Sequence, residues 1–279
     1  MILDKLSHNF LVFSDIDGSL MNHEDYSYLI LKKFILKIKK QCQIIFTSSK
    51  TFEEIIKINK SLELSAPFIV ENGACIFFPK SYLKYVRDKN FFLYKNHLGF
   101  KVFKGNLSAS NKKINELKKD YKFNFLSDLD DKKIMEITNL SFSKIKLVKK
   151  RMFSNPIYWE DSESNKKQFE KHVHQLGYNL SHGGRFTHLS IDYDKGKAIK
   201  KFLKIFDVKM FHNLTTVSIG DNHNDLSMLE LTDYSCVIKS KKKQLLLKKT
   251  KNNYYSKQIA PNGWQESLLY ILKKERVNF

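Results

Sequence analysis

The stretch Leu11-Val12-Phe13-Ser14-Asp15-Ile16-Asp17-Gly18-Ser19-Leu20 constrains the fold more than any other part of this chain. A short apolar run that gives way abruptly to acids predicts a parallel strand covered on both faces. Such a strand delivers whatever follows it to the carboxyl edge of the sheet, where open α/β folds bind ligands. Here it delivers two carboxylates. Asp15 and Asp17 are two residues apart, so in extended backbone their side chains leave on one side and can share a cation and an anionic ligand. Gly18 lets the backbone turn and come close to a phosphate.

The pattern then repeats. From about Tyr26 to Lys40, Leu31, Phe34, Ile35 and Ile38 fall on one helical stripe with lysines opposite, which predicts a crossover helix. Gln43 to Ser48 is an apolar strand that ends in small hydroxyl residues, and Thr51 with Glu54 fits a capping box opening the next helix. Pro67 to Val70 is a third strand, and Asn72-Gly73 suits a tight turn into Cys75-Ile76-Phe77-Phe78. From Asp194 the rhythm resumes: a helix near Lys195, the strand Thr215 to Ile219 ending in Gly220-Asp221-Asn222-His223-Asn224-Asp225, a helix Leu226 to Leu231, the strand Tyr234 to Ile238 and a helix from about Gly263 to Lys274.

Between these halves the strands shorten. Phe100 to Phe103, Pro156 to Trp159 and Arg185 to Ile191 read as strands, and Asn111 to Asp120, Phe142 to Met152 and Lys166 to Leu176 as amphipathic helices. The expected fold is therefore α/β, a doubly wound, Rossmann-like parallel sheet with an inserted α+β domain. The divisions expected are 1–84 and 193–279 for the two halves of the core and 85–192 for the insertion.

The net charge of +20, from 49 Lys and Arg against 29 Asp and Glu, attracts anionic partners. The excess is mostly Lys spread along helical segments such as Leu31 to Lys40 and Lys241 to Lys251, with no arginine-rich stripe or nucleic-acid motif, so nucleic acid is not the expected partner. Cys42, Cys75 and Cys236 are far apart and in no metal spacing, and the early apolar run goes straight into Asp15 instead of a cleavage site. No run reaches membrane-spanning length. A cytoplasmic protein with no membrane partner is expected.

Three strand ends thus bring together Asp15 and Asp17, Ser48, and Asp221 and Asp225. Four clustered carboxylates repel one another unless a cation is present, and an all-oxygen donor set suits Mg²⁺ far better than zinc. Asp15 is the natural nucleophile toward phosphorus, and Asp17 the acid and base.

These residues resemble the haloacid dehalogenase-like phosphohydrolase superfamily over the whole chain. Asp15-Ile16-Asp17-Gly18-Ser19-Leu20 is similar to its first motif, with Ser19 where Thr is usual. The resemblance implies that Ser48 is the phosphate-binding hydroxyl and Lys195 the lysine that steadies nucleophile and phosphate, with Lys197 close enough to leave that choice open. It implies that Asp15, Asp17 and Asp221 hold the magnesium, with Asp225 and Asn224 supporting that shell. An insertion at this point implies a type IIB cap.

Within the superfamily the detail resembles the mannosyl-3-phosphoglycerate phosphatases, through Thr47-Ser48-Ser49-Lys50-Thr51, Val70-Glu71-Asn72-Gly73-Ala74, Lys150 to Pro156, Gly183-Gly184-Arg185-Phe186-Thr187-His188 and Asp194 to Ala198. Backbone donors at Gly184, a guanidinium at Arg185 and an imidazole at His188 suit a glycerate carboxylate and sugar hydroxyls. Gly18, Ser49, Arg151 and Ser154 complete the expected substrate contacts, although Asn155 stands where the family places an acid. The implied substrate is a small anionic sugar phosphate, mannosyl-3-phosphoglycerate first. Its glucosyl counterpart, another sugar phosphate, a phosphosugar mutase reaction and a non-catalytic basic binding protein on the same scaffold are the alternatives.

Overall fold

Strand β1 (Phe10–Ser14) is buried along its whole length, in a computed structural model that describes residues 10–105, 107–183, 185–208, 214–240, 245–248 and 252–277. Its side chains alternate between two apolar layers. Phe10 and Val12 pack with Leu31, Ile35 and Trp264, and Leu11 and Phe13 with Ile199, Phe202 and Met228. This two-sided burial is why the strand reads as a continuous apolar run instead of an alternating one.

In the first half, β1 is followed by α1 (Lys32–Ile38), β2 (Cys42–Thr47), α2 (Phe52–Ser61), β3 (Phe68–Val70) and β4 (Cys75–Pro79). The capping box at α2 forms as the sequence predicts: the Glu54 amide donates to Thr51 Oγ1 at 3.3 Å, and the Thr51 amide donates to Glu54 Oε2 at 2.9 Å. Such a cap contributes about 1 kcal/mol. The strands β5 (Phe92–Tyr94) and β6 (His97–Lys101) come next.

The insertion holds α3 (Leu107–Asn115), β7 (Phe123–Phe125), α4 (Asp131–Thr138), α5 (Phe142–Val148), β8 (Ile157–Trp159), α6 (Glu163–Gln175), β9 (Asn179–Gly183) and β10 (Phe186–Ser190). The chain then returns through α7 (Lys195–Ile205), β11 (Thr215–Gly220), α8 (Leu226–Leu229), β12 (Tyr234–Val237), β13 (Asn253–Tyr255) and α9 (Asn262–Lys274).

Among the described residues the large sheet runs β13-β12-β11-β1-β2-β3-β4-β6-β5. The pairings from β13 to β3 are parallel, and β4, β6 and β5 add an antiparallel flank. The second sheet, β7-β8-β10-β9, is wholly antiparallel. Helices α3 and α6 cover it through Ile114, Phe169 and Val173, which meet Phe123, Phe125 and Ile157.

One part of the expected partition differs. The strand near Phe100, assigned above to the insertion, belongs to the large sheet, because β6 pairs with β4 from Pro79↔His97 to Cys75↔Lys101. Pairing to β4 on one side and β5 on the other satisfies its backbone groups, and composition does not reveal which sheet a short apolar strand will join. The second sheet therefore draws only on residues after β6.

Candidate active site

Parallel register sets the site. Ser14 lies opposite Ile219 on one side and Phe46 on the other, so Asp15, Ser48 and Asp221 emerge together at one edge of the sheet. The Asp15 amide donates to the Ile219 carbonyl at 2.9 Å, which extends the ladder up to the acid itself. Behind it, Trp264 Nε1 donates to Ser14 Oγ at 2.8 Å.

Lys195 reaches this edge from the first turn of α7. Asp194 caps the helix by accepting from the Lys197 amide at 2.8 Å. Gly196 lets α7 approach closely, since a Cβ there would lie 2.4 Å from the Ser227 carbonyl oxygen. The fully buried Lys195 Nζ then donates to Asp15 Oδ1 at 2.5 Å and to Asp225 Oδ1 at 2.6 Å. Lys197 instead pairs with Asp192 at the surface, so of the two candidate lysines it is Lys195 that reaches Asp15.

The acids divide by role. Asp225 is fully buried, and its second oxygen accepts from the Asp221 and Asn222 amides at 3.0 and 3.1 Å, so its carboxylate fixes the loop that carries Asp221. Asp221 is touched by Ser19 Oγ on one oxygen and His23 Nε2 on the other, both at 3.4 Å. Gly18, at φ +86°, makes room for that meeting, because a Cβ there would lie 2.2 Å from His23 Nε2 and 2.5 Å from Asp221 Oδ2. The described residues hold one group of acids suited to a metal: Asp15, Asp221 and Asp225, whose oxygens lie within 4.8 Å of one another. Asp17, expected as a ligand, turns its carboxylate to Lys50 Nζ at 2.9 Å and stands outside that group.

Burial pushes the Asp15 carboxyl well above the usual range against the pull of Lys195, and repulsion from Asp225, Asp221 and Asp17 adds to the rise. Burial also raises Asp221, partly offset by the hydrogen bond to His23, whose own pKa that bond raises. Burial alone would lower Lys195, but Asp15 and Asp225 outweigh it and hold the ammonium charged. Three buried carboxylates with one buried ammonium among them leave excess negative charge on hard oxygen donors. A divalent cation suits that arrangement.

Of the other expected contacts, Ser48 is buried and its Oγ accepts from the Lys50 amide at 3.3 Å. Asn224 Nδ2 meets Asn72 Oδ1 at 3.4 Å. His188 is buried on β10 and lines a cavity of about 260 Å³ between the inserted sheet and the core, together with Ser154, Asn72, Lys195, Asn224 and Ser227. Arg185 is exposed at the turn before β10 and is not among the residues that line this cavity, and Gly184 lies outside the described residues. Arg151 and Ser154 bond within the protein: Arg151 Nη2 donates to the Ser49 carbonyl at 2.6 Å, and Ser154 Oγ donates to Glu71 Oε2 at 2.5 Å.

The sequence assigned no role to Lys50, His23 or Glu71. Lys50 and Glu71 sit in stretches that carried the resemblance. The spacing of Lys50 to Glu54 allows their i,i+4 pair, but the partners Asp17 for Lys50 and the 152–154 segment for Glu71 lie far off in the chain, and no spacing announces them.

Residues 12–258 match the haloacid dehalogenase-like hydrolase family. The chain belongs to that family. The protein is a phosphatase of that superfamily. Its fold, inserted antiparallel sheet included, is shared with a solved structure described as a subclass IIB sugar phosphatase, at a TM-score of 0.59 and 13% identity over 96% of this chain and 99% of the other. It is 30% identical over 270 residues to a glucosyl-3-phosphoglycerate/mannosyl-3-phosphoglycerate phosphatase of Persephonella marina, covering 95% of this chain and 97% of the relative. A protein of the same description from Methanococcoides burtonii is 29% identical over 274 residues, with the same coverage of each chain. A solved structure from Thermoplasma acidophilum shares the fold, with a TM-score of 0.63 at 17% identity over 96% of this chain and 98% of the other. Among the described residues no helix is long and apolar enough to cross a membrane.

Proposed function

We propose that this haloacid dehalogenase-like phosphatase hydrolyses mannosyl-3-phosphoglycerate or its glucosyl counterpart to the free glycosylglycerate and inorganic phosphate. The reading is carried by the buried Asp15–Lys195–Asp225 cluster at the sheet edge, taken with relatives of that description that match nearly the whole chain. The polar cavity beside Lys195, lined by Asn72, Asn224, Ser181 and His188, offers hydrogen-bonding groups of the kind a sugar requires.

Asp15 attacks phosphorus as the bond to the glyceryl oxygen breaks, and Asp17 gives that leaving oxygen its proton. Water then attacks the aspartyl-phosphate while Asp17 takes the water's proton, and inorganic phosphate departs with Asp15 restored. Lys195 holds Asp15 through Oδ1, which leaves Oδ2 for attack, and its charge offsets that of the incoming phosphate. Ser48 lies beside them as a hydroxyl donor to a phosphate oxygen. Asp15 and Asp221 would hold Mg²⁺, with Asp225 supporting them; bound there, the ion supplies neutralisation of the negative charge shared by carboxylates and phosphate.

The direct test is phosphate release from both glycosyl phosphoglycerates, with and without Mg²⁺, by the wild type and by Asp15→Asn. The variant is expected to lose at least about 10³-fold in kcat. Wild-type turnover by Asp15→Asn would remove the nucleophile assignment, and absence of turnover on either substrate by the wild type would remove the substrate assignment.

A further inference from the structure

Glu71 is a buried carboxylate, 2% exposed, to which the chemistry above gives nothing to do. Its surroundings are specific. Glu71 Oε1 accepts from the Met152 amide at 2.9 Å, and Oε2 accepts from the Phe153 amide at 3.1 Å and the Ser154 hydroxyl at 2.5 Å. All three donors come from the inserted domain, in the segment between α5 and β8. The Arg151 guanidinium completes the arrangement: Nε lies 3.7 Å from Glu71 Oε2 and donates to Ser154 Oγ at 3.1 Å.

The same turn is tied to the core. The Glu71 amide donates to the Lys50 carbonyl at 3.0 Å and the Asn72 amide to the Ser48 carbonyl at 2.9 Å. Arg151 Nη2 grips the intervening Ser49 carbonyl, and Asn72 reaches Asn224 in the acidic loop. Glu71 and Asn72 hold left-handed backbone, at φ +51° and +60°. Neither is glycine, and consecutive residues of this kind persist only where their surroundings over-determine them.

We infer that Glu71 is a positioning residue that docks the inserted domain on the Ser48–Lys50 loop, and that Arg151 and Ser154 act through it instead of contacting substrate. A guanidinium and a hydroxyl already committed to a buried carboxylate and a core carbonyl are poor receptors for a substrate anion. They are well placed to transmit the position of the cap to the loop that presents Ser48.

The test compares Glu71→Gln and Ser154→Ala with the wild type by kinetics on mannosyl-3-phosphoglycerate and on para-nitrophenyl phosphate, and by hydrogen exchange. Gln keeps the length of Glu but brings one acceptor oxygen to a place where three donors converge. Expected are a fall in kcat of about tenfold or more that is similar on the two substrates, since para-nitrophenyl phosphate has neither sugar nor carboxylate, and exchange at the Met152 and Phe153 amides faster by about tenfold with the β1 amides unchanged. Unchanged exchange at those two amides, or an unchanged kcat on para-nitrophenyl phosphate with KM raised only for the phosphoglycerate, overturns the inference and returns Arg151 and Ser154 to substrate binding. If Glu71→Gln does not fold, Ser154→Ala, which removes the bond to Glu71 and the one from Arg151 but keeps the two backbone donors on the carboxylate, decides by the same two readings at smaller size. The para-nitrophenyl phosphate and exchange readings hold even if the glycosyl phosphoglycerate proves not to be the substrate.

Discussion

Replacing Lys195 by Met removes the one ammonium that bridges Asp15 and Asp225, and it does so where no solvent reaches, since the Lys195 and Asp225 side chains are 0% exposed. Breaking a buried ion pair from one side costs about 3–5 kcal/mol, because the partner carboxylates are left charged without compensation. That is a large share of a typical total stability of about 5–15 kcal/mol. At about 2–4 °C per kcal/mol for a chain approaching this size, the melting temperature should fall by roughly 6–20 °C. The measurement is thermal unfolding in EDTA, with Lys197→Met as the control. Lys197 pairs with Asp192 at the surface, the two side chains being 46% and 86% exposed, and its loss should cost less than about 1 kcal/mol. Lowering the pH should narrow the gap between Lys195→Met and the wild type. Stranded carboxylates take up protons more readily folded than unfolded, so the variant gains relative stability as pH falls. Turnover should fall by about 10²–10³-fold, the usual cost of losing one pre-placed electrostatic group. A melting temperature within about 2 °C of wild type would refute the buried-charge reasoning at its base.

Mg²⁺ should raise the wild-type melting temperature but not that of Asp221→Asn, and its affinity should increase with pH, because the raised Asp15 and Asp221 carboxyls must release protons to bind it. Calorimetry in buffers of different ionisation enthalpy reads the protons directly; zero release would contradict the assignment. His97, packed against Phe52 and Phe68, is held below its ordinary pKa by burial. It protonates more readily in the unfolded chain, so stability should drop as pH falls below about 6.5, and His97→Leu should flatten that slope in urea titrations. An equal slope in the variant would clear His97 of the effect.

Much of this site is legible in the chain because its chemistry depends on residues placed locally. Asp15, Ser48 and Asp221 each follow a buried strand, and a parallel strand always delivers its sequel to the same edge. Thr51 and Glu54 form their capping box within four residues. Short elements are less legible. The strands β7 and β13 are three residues long, too short for any period to show, and α4 is only eight residues long, with two buried positions, Ile134 and Ile137, to mark its apolar face.

The sequence by itself therefore determines the doubly wound core, the acids at its edge and the existence of an insertion, since these follow from local hydrophobic pattern and strand direction. Only the tertiary structure decides that Lys195 and not Lys197 enters the site, that Asp17 faces Lys50, that β6 joins the large sheet, and that Arg151 and Ser154 close on Glu71. Each of these is a choice of partner between residues far apart in the chain, such as Lys195 with Asp15 or Glu71 with Ser154. Long-range pairing is settled by which groups packing leaves buried together, and local pattern does not encode that.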